Sequence, residues 1–466
     1  MISLRHRLLA GLLPLLWSST MVLSQVQEPP PRQEHAEKQE AGGQERSEEQ
    51  TGGVEGGEAG DDIDAHLEEA AVAEGPEVIE PLKEQDSGDD VTGKIKEAKE
   101  PDVGLWRRAP LSNLHRLWRP WRQQLSDDLG LDLGLAYTTL FQAATDGIED
   151  PRYGWSGDFD IFGKWRLVNK AKKNTGSFGF LVEQRHRFTE IAPNDLGTNI
   201  GSLWGTTRGF NVQDVAVAQW WWEQFLLDDR LKLSVGKLDP RNYYNGNRFQ
   251  SQNTFFLNRA FSENPTRRFP RNSLGVNARL ALTDHAYLSF GVHDTNGRKT
   301  NSGFGDLDKD DLFGAIEIGL TPRFEGLGRG RYRFTLWSTG GGDSSRGESG
   351  TGFALSFDQD LGNNLVPFLR YGYQDRDLRN TKNVISGGVG VLRPFGREAD
   401  VLGVGLSWGD AEDGDLPDQY VGEVFYRLQA TGKVQVTPGV QVIVNPPFNA
   451  EDDVVGVFSL RVRVVF

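Results

Sequence analysis

The last thirteen residues, 454–466, alternate apolar and polar almost without fault and finish on an aromatic. Val464, Val462, Leu460, Phe458 and Gly456 fall on the side of Phe466, while Val465, Arg463, Arg461, Ser459 and Val457 fall on the other. A period of two is a strand, and one apolar face opposite a largely polar one is a strand between two different solvents. Ending such a strand on Phe suits a transmembrane β-barrel, whose last strand closes the ring and sets its terminal aromatic at the lipid interface.

The front of the chain agrees about compartment. Arg5, His6 and Arg7 precede an apolar run from Leu8 to Leu16, and Val22-Leu23-Ser24 form a small-residue cleavage site before Gln25, so residues 1–24 read as a signal peptide. The apolar run is far short of the ~20 residues that a helical span needs, and no other segment reaches that length. The chain has no cysteine, which excludes disulfides, thiolate metal sites and a lipid-anchored amino terminus and fits export into an oxidising space.

Charge has to be divided before it is interpreted. Residues 25–100 hold 23 Asp or Glu against 7 Lys or Arg, with repeated Gly, Pro and Gln and no aromatic residue. Such a stretch cannot bury enough apolar surface to offset the entropy of ordering it, so 25–104 reads as an acidic, disordered or loosely helical periplasmic tether. A solvated spacer is the simpler use for it; a periplasmic or cell-wall contact is the other. Residues 101–466 hold 42 basic and 43 acidic residues, so the net charge of −15 belongs to the tether. A balanced domain does not advertise nucleic acid as its partner.

Residues 105–130 are expected to carry a short periplasmic helix, Leu111 to Asp128, rich in Trp and Arg. From 131 onward the chain reads as strands broken by Gly, Asn and Asp clusters. They are 131–141, 156–168, 177–188, 212–225, 230–238, 272–283, 285–293, 311–320, 330–338, 351–358, 364–374, 384–393, 399–408, 420–429, 431–444 and 454–466, sixteen in all. Connections expected outside are 142–155, 189–211, 239–271, 294–310, 339–350, 375–383, 409–419 and 445–453, each nine residues or longer. Those expected in the periplasm include Leu226 to Asp229, Asp284, Gln359 to Asn363 and Ala430, and none exceeds nine. Long outside and short inside is the sorting of a membrane barrel. The fold class is therefore all-β, a 16-stranded antiparallel transmembrane β-barrel over 131–466 in the bacterial outer membrane, wide enough to enclose water.

The faces of the strands describe the pore. Tyr332, Phe334 and Leu336 oppose Arg331, Arg333, Thr335 and Trp337, and Phe159, Ile161, Trp165 and Leu167 oppose Asp158, Asp160, Lys164 and Arg166. A wall of both signs offers paired donors and acceptors to a neutral polyhydroxyl solute. On 212–225, Ala216, Ala218, Trp220 and Trp222 are expected to face lipid, leaving Gln219, Trp221 and Glu223 inward, where an indole beside an amide and a carboxylate suits a sugar. Interfacial belt positions for all three Trp are the alternative. The connection 239–271 carries six Arg and five Phe, apolar surface that needs cover; folding into the pore is preferred over an external cap or a neighbouring subunit. The candidate pore lining is Gln219, Trp221, Glu223, Lys232, Arg241, Arg248, Arg259, Arg331, Arg333, Arg461 and Arg463.

Three ordered segments carry a family resemblance: Trp121-Arg122-Gln123-Gln124-Leu125 with Gly130-Leu131-Asp132; Asn253-Thr254-Phe255-Phe256 through Asn272-Ser273-Leu274-Gly275; and Thr437-Pro438-Gly439-Val440-Gln441 leading to Asn445-Pro446. Together, over roughly 115–466, the chain resembles carbohydrate-selective porins of the OprB type. The resemblance implies a sixteen-stranded outer-membrane channel for glucose and related sugars. The family's usual Gly-Asp-Trp-Gly-Gly is here Arg116-Leu117-Trp118-Arg119-Pro120-Trp121, and the acidic tether has no part in the family pattern.

Other functions find less support. His186, His285 and His293 lie in no catalytic motif, and no His or carboxylate cluster has ligand spacing, so neither an enzyme nor a metal or cofactor is expected. The second reading is a channel for an anionic solute or an exported acidic polysaccharide, on the strength of Arg331, Arg333, Arg370, Arg427, Arg461 and Arg463 on inward faces. Expected partners are sugars as passing solute and outer-membrane lipid, with a homo-oligomer left open.

Overall fold

The structure, a computed structural model, describes residues 82, 90–99, 104–105, 112–170, 172–304, 311–342, 348–375 and 380–466. The expected signal peptide, and the acidic tether before Asp90 apart from Leu82, lie outside the described residues.

Sixteen strands form one antiparallel sheet in which every sequence neighbour is paired. They are β1 (Leu131–Ala144), β2 (Tyr153–Val168), β3 (Gly176–Arg187), β4 (Gln213–Leu226), β5 (Leu231–Leu238), β6 (Ser273–Thr283), β7 (Ala286–Asp294) and β8 (Leu312–Leu320). The second half comprises β9 (Gly328–Thr339), β10 (Gly350–Gln359), β11 (Leu365–Gln374), β12 (Thr381–Leu392), β13 (Val401–Ala411), β14 (Gln419–Thr431), β15 (Val434–Val444) and β16 (Val454–Val465). A two-residue ladder, Arg323–Phe324, folds back on Gly328 and Arg329 ahead of β9. Ring closure is made by β16 on β1: Val465 lies opposite Ala136 and Val457 opposite Ala144, and Phe466 exchanges backbone hydrogen bonds with Leu135 at 2.8 and 2.9 Å. Every expected strand is present. Several run further toward the long connections than expected, with β1 reaching Ala144, β12 beginning at Thr381 and β13 reaching Ala411.

The alternation places lipid and water where the sequence pattern puts them. On β16 Phe458 and Leu460 are exposed while Arg461 and Arg463 are buried inside, and on β2 Ile161, Trp165 and Leu167 face out while Asp158 and Asp160 face in. One expected face is corrected. Ala216 and Ala218 are buried and Val215 and Val217 exposed, because the β3–β4 register jumps between Leu181↔Gln219 and Val182↔Val217. The extra residue, Ala218, makes a bulge that exchanges the two faces of the strand.

The connection after β5 turns into the barrel and packs there. Phe256 meets Phe425 of β14 edge-on at 4.8 Å, and Phe249 lies 5.8 Å from Phe368 of β11. The cover that this connection needed is therefore supplied by the barrel's own inner wall. Glycine makes the room: a Cβ on Gly390 of β12 would lie 2.0 Å from the Phe249 ring.

Among the described residues two α-helices precede β1. In α1 (Val91–Lys99) Asp90 accepts the Gly93 N–H at 2.7 Å, a side-chain cap on an orphan donor, and Val91, Ile95 and Ala98 recur on one buried face. α2 (Ser112–Gln124) runs into a turn of π-helix, Leu125–Leu129, which ends on Gly130 at φ 73°.

Candidate solute pathway

Register decides which charges meet on the inner wall. Asp158 lies opposite Arg185 and Asp160 opposite Glu183 across β2 and β3, which gathers the carboxylates of Asp158, Asp160 and Glu183 within 4.8 Å of one another. Three cations answer them. Arg185 pairs with Asp158 at 3.1 Å and Glu183 at 2.8 Å, Lys299 with Glu183 at 2.6 Å, and Lys94 of α1 with Asp160 at 2.6 Å. This cluster is a matched ionic seat whose members stand on β2, β3 and α1, apart from Lys299 in the connection after β7. Its sequence signal was the Asp158-x-Asp160 spacing; Glu183 joins only through the strand register.

Beside that seat lies a cavity of about 470 Å³ at the long-loop end of the lumen. β3 and β4 supply Leu181, Glu183, Arg185, Gln213, Asp214 and Gln219; the long connections supply Asn194, Arg208, Asn211, Asp239, Arg241, Asn242, Gln252, Asn253, Arg271, Asn272, Arg298 and Lys299 among others, and α1 adds Lys94. Arg241 grips Asp239 through Nε and Nη2, both at 2.7 Å, and Asn242 donates to the Gln219 side chain at 3.3 Å. Burial alone would raise the Asp239 carboxyl, but the Arg241 guanidinium outweighs it and holds the group below the usual carboxylate range. Burial pushes the Lys299 ammonium below its ordinary value, with Arg185 adding to the effect. Adjacent fixed donors and acceptors, in a lining more polar than apolar, can hydrogen-bond successive hydroxyls of a solute that carries no charge.

Of the expected pore-lining residues, Gln219 and Arg241 line this cavity. The others are inside the barrel but engaged elsewhere. Glu223 pairs with Lys164 at 2.7 Å and lies 3.8 Å from Lys232. Arg248 reaches Asp360 at 2.6 Å and Arg259 reaches Glu263 at 2.7 Å. Arg331 and Arg333 both face Asp358, at 2.5 and 3.7 Å. Arg461 donates to the carbonyls of Gln252 and Phe255, at 2.5 and 2.8 Å, and so holds the inward connection. Arg463 donates to Glu97 of α1 at 2.7 Å and to Thr138 at 2.7 Å. Trp221 points inward as expected, but its ring is 4% exposed and lies over Gly179.

Comparisons with known proteins follow the geometry. The family model described as carbohydrate-selective porin, OprB family, matches residues 111–339 and 308–466. Among solved structures the barrel is similar to the high-pH structure of Pseudomonas putida OprB, with 18% identity, a TM-score of 0.61, and coverage of 75% of this chain and 97% of that one. The low-pH structure of the same protein gives 15% identity and a TM-score of 0.50, covering 75% of this chain and 96% of that one. A comparison with curated proteins returns no match. The closed sixteen-stranded barrel, its inward connection and the family match over most of that barrel lead to one conclusion: this chain belongs to the OprB family of carbohydrate-selective porins, channels of the bacterial outer membrane.

Proposed function

We propose that the barrel passes neutral mono- or oligosaccharides passively, with the cavity between β3, β4 and the long connections as the site where the sugar is recognised. The observation that carries this reading is the lining itself, in which the Arg241–Asp239 and Arg185–Glu183 pairs alternate with the amides of Asn211, Gln219, Asn242, Gln252 and Asn253. Paired charges cost a neutral solute nothing to pass and present it with strong donors and acceptors. Binding has to be weak, since a channel that holds its solute does not conduct.

One observation favours the second reading, a channel for anionic solutes or for an exported acidic polysaccharide. The cavity lining holds seven cations, Lys94, Arg185, Arg208, Arg241, Arg271, Arg298 and Lys299, against the three carboxylates of Glu183, Asp214 and Asp239. Reconstitution in planar bilayers separates the two. Concentration-dependent block of the ion current by glucose-type sugars, with modest ion selectivity, supports the sugar channel. Strong anion selectivity without sugar block overturns it in favour of the second reading.

A further inference from the structure

We propose that α1 is a plug, inserted into the lumen from the periplasmic mouth, which forms the floor of the solute cavity and has to leave its seat for solute to pass. The proposal concerns gating and does not depend on which solute is carried.

Its first support is the path of the chain. Leu82 is buried with Phe225 and Ala281, at the short-turn ends of β4 and β6. In the last turn of α1 the Ala98 carbonyl accepts from Lys433, in the short turn between β14 and β15, at 3.0 Å, and beyond the helix the Leu105 N–H donates to the Gln429 carbonyl at 3.1 Å. Both flanks of α1 thus sit at the same mouth, while Lys94 reaches Asp160 near the middle of β2 and lines the cavity above. A segment that enters and returns through one mouth can withdraw without breaking any wall strand.

The seat is ionic. Lys94 pairs with Asp160 at 2.6 Å, Glu97 with Arg463 at 2.7 Å and Lys99 with Asp132 at 2.7 Å. Desolvation offsets much of the Coulomb energy of the buried Lys94 and Glu97 pairs, so these specify one position more than they hold it, while Val91, Ile95 and Ala98, in one buried cluster with Ala136, Phe162 and Val465, supply the apolar hold that withdrawal has to overcome. The helix spans nine residues, and isolated helices below ~12–15 residues are marginal in water, so undocking and unfolding of α1 are coupled. Withdrawal leaves a charged wall that water can solvate. It also removes a cation from the carboxylates of Asp158, Asp160 and Glu183, so the open pore is less anion-selective than the plugged one. The family match begins at residue 111, so α1 lies ahead of the segment that carries it.

The test uses the full chain in planar bilayers with potassium chloride, so that its outcome is independent of sugar block. Lys94→Asp is expected to raise the single-channel conductance several-fold and shift the reversal potential toward cations, and Lys94→Asp with Asp160→Lys to return both toward the parent. Because the chain has no cysteine, Glu97→Cys with Arg463→Cys supplies a unique thiol pair, and bridging it with a bifunctional methanethiosulfonate is expected to fix a low-conductance state that reductant releases. Heat-modifiable migration on gels verifies that each variant is a folded barrel. Conductance that neither charge reversal nor bridging alters would overturn the proposal and make α1 a permanent part of the wall.

Discussion

Glu423 of β14 and Asn258 of the inward connection meet backbone to side chain: one carboxylate oxygen accepts the Asn258 N–H at 2.8 Å and the other the Leu257 N–H at 2.7 Å. β12 and β11 hold the connection's backbone in the same way, with Ser386 donating to the Ala260 carbonyl at 2.8 Å and Arg370 to the carbonyls of Phe261 and Glu263 at 2.9 and 3.1 Å. The wall therefore reads the connection's backbone, and the connection's Phe side chains read the wall's glycines and aromatics. Glu423→Ala orphans two buried donors at about 1–3 kcal/mol each. It is expected to free the connection, raise the ion conductance and weaken sugar block, all measurable on single channels, with Glu423→Gln intermediate. Unchanged conductance at full folding would mean that the aromatic packing alone holds the connection.

Acid is expected to loosen the same element. Glu263 lies 2.7 Å from Arg259 and 4.0 Å from Arg241; burial by itself would raise its carboxyl, but Arg259, Arg241 and Arg267 outweigh it and hold the group well below its ordinary value of 4.5. A carboxyl depressed in the folded state contributes stability that is complete above its unfolded value and lost as pH falls through the folded one. Limited proteolysis within 239–271 is thus expected to accelerate as pH falls below 4.5. Glu263→Gln is expected to show the faster cleavage already at neutral pH, with a flattened acid dependence.

Trp221 lies opposite Gly179 across β3 and β4, where a Cβ would come within 2.2 Å of its ring. Trp221→Ala should destabilise the barrel by about 3–5 kcal/mol, the cost of emptying a large buried site, and leave sugar block in place, because the ring is turned onto the wall. Thermal unfolding and bilayer block measured on the same sample decide it. Loss of block at undiminished stability would put the indole in the sugar's path.

The barrel was legible because alternation is a local property, and sixteen strands with sorted connections repeat it. Arg461 and Arg463 could be placed on an inward face from the last thirteen residues alone. What they touch could not, since Gln252 and Glu97 are brought to them by a folded-in connection and by a helix over 350 residues upstream in the second case, at a separation of 366. The bulge at Ala218 was hidden because one extra residue leaves no compositional trace and yet exchanges two faces. α1 was hidden for another reason: its Val91, Ile95 and Ala98 stripe belongs to a helix of only nine residues inside a stretch whose acidic composition argues against burial. Its cap, Asp90, was one more carboxylate among many.

The charge balance of the cavity makes a last prediction about ions. Arg185, Arg241 and Lys299 are each paired with a carboxylate, and the lining still carries more cations than carboxylates, with Arg271 of the connection after β5 exposed. Exposed charge acts over the Debye length, about 10 Å at 0.1 M salt and about 3 Å at 1 M. A potassium chloride gradient is therefore expected to give a modest chloride preference at low salt that fades as salt rises. Arg271 is exposed at the cavity rim, and Arg271→Glu should shift the reversal potential toward potassium at low salt far more than it weakens sugar block, because the Arg241–Asp239 and Arg185–Glu183 pairs are undisturbed. Loss of sugar block together with the shift would show that the solute is held by net positive charge, as an anionic solute would be.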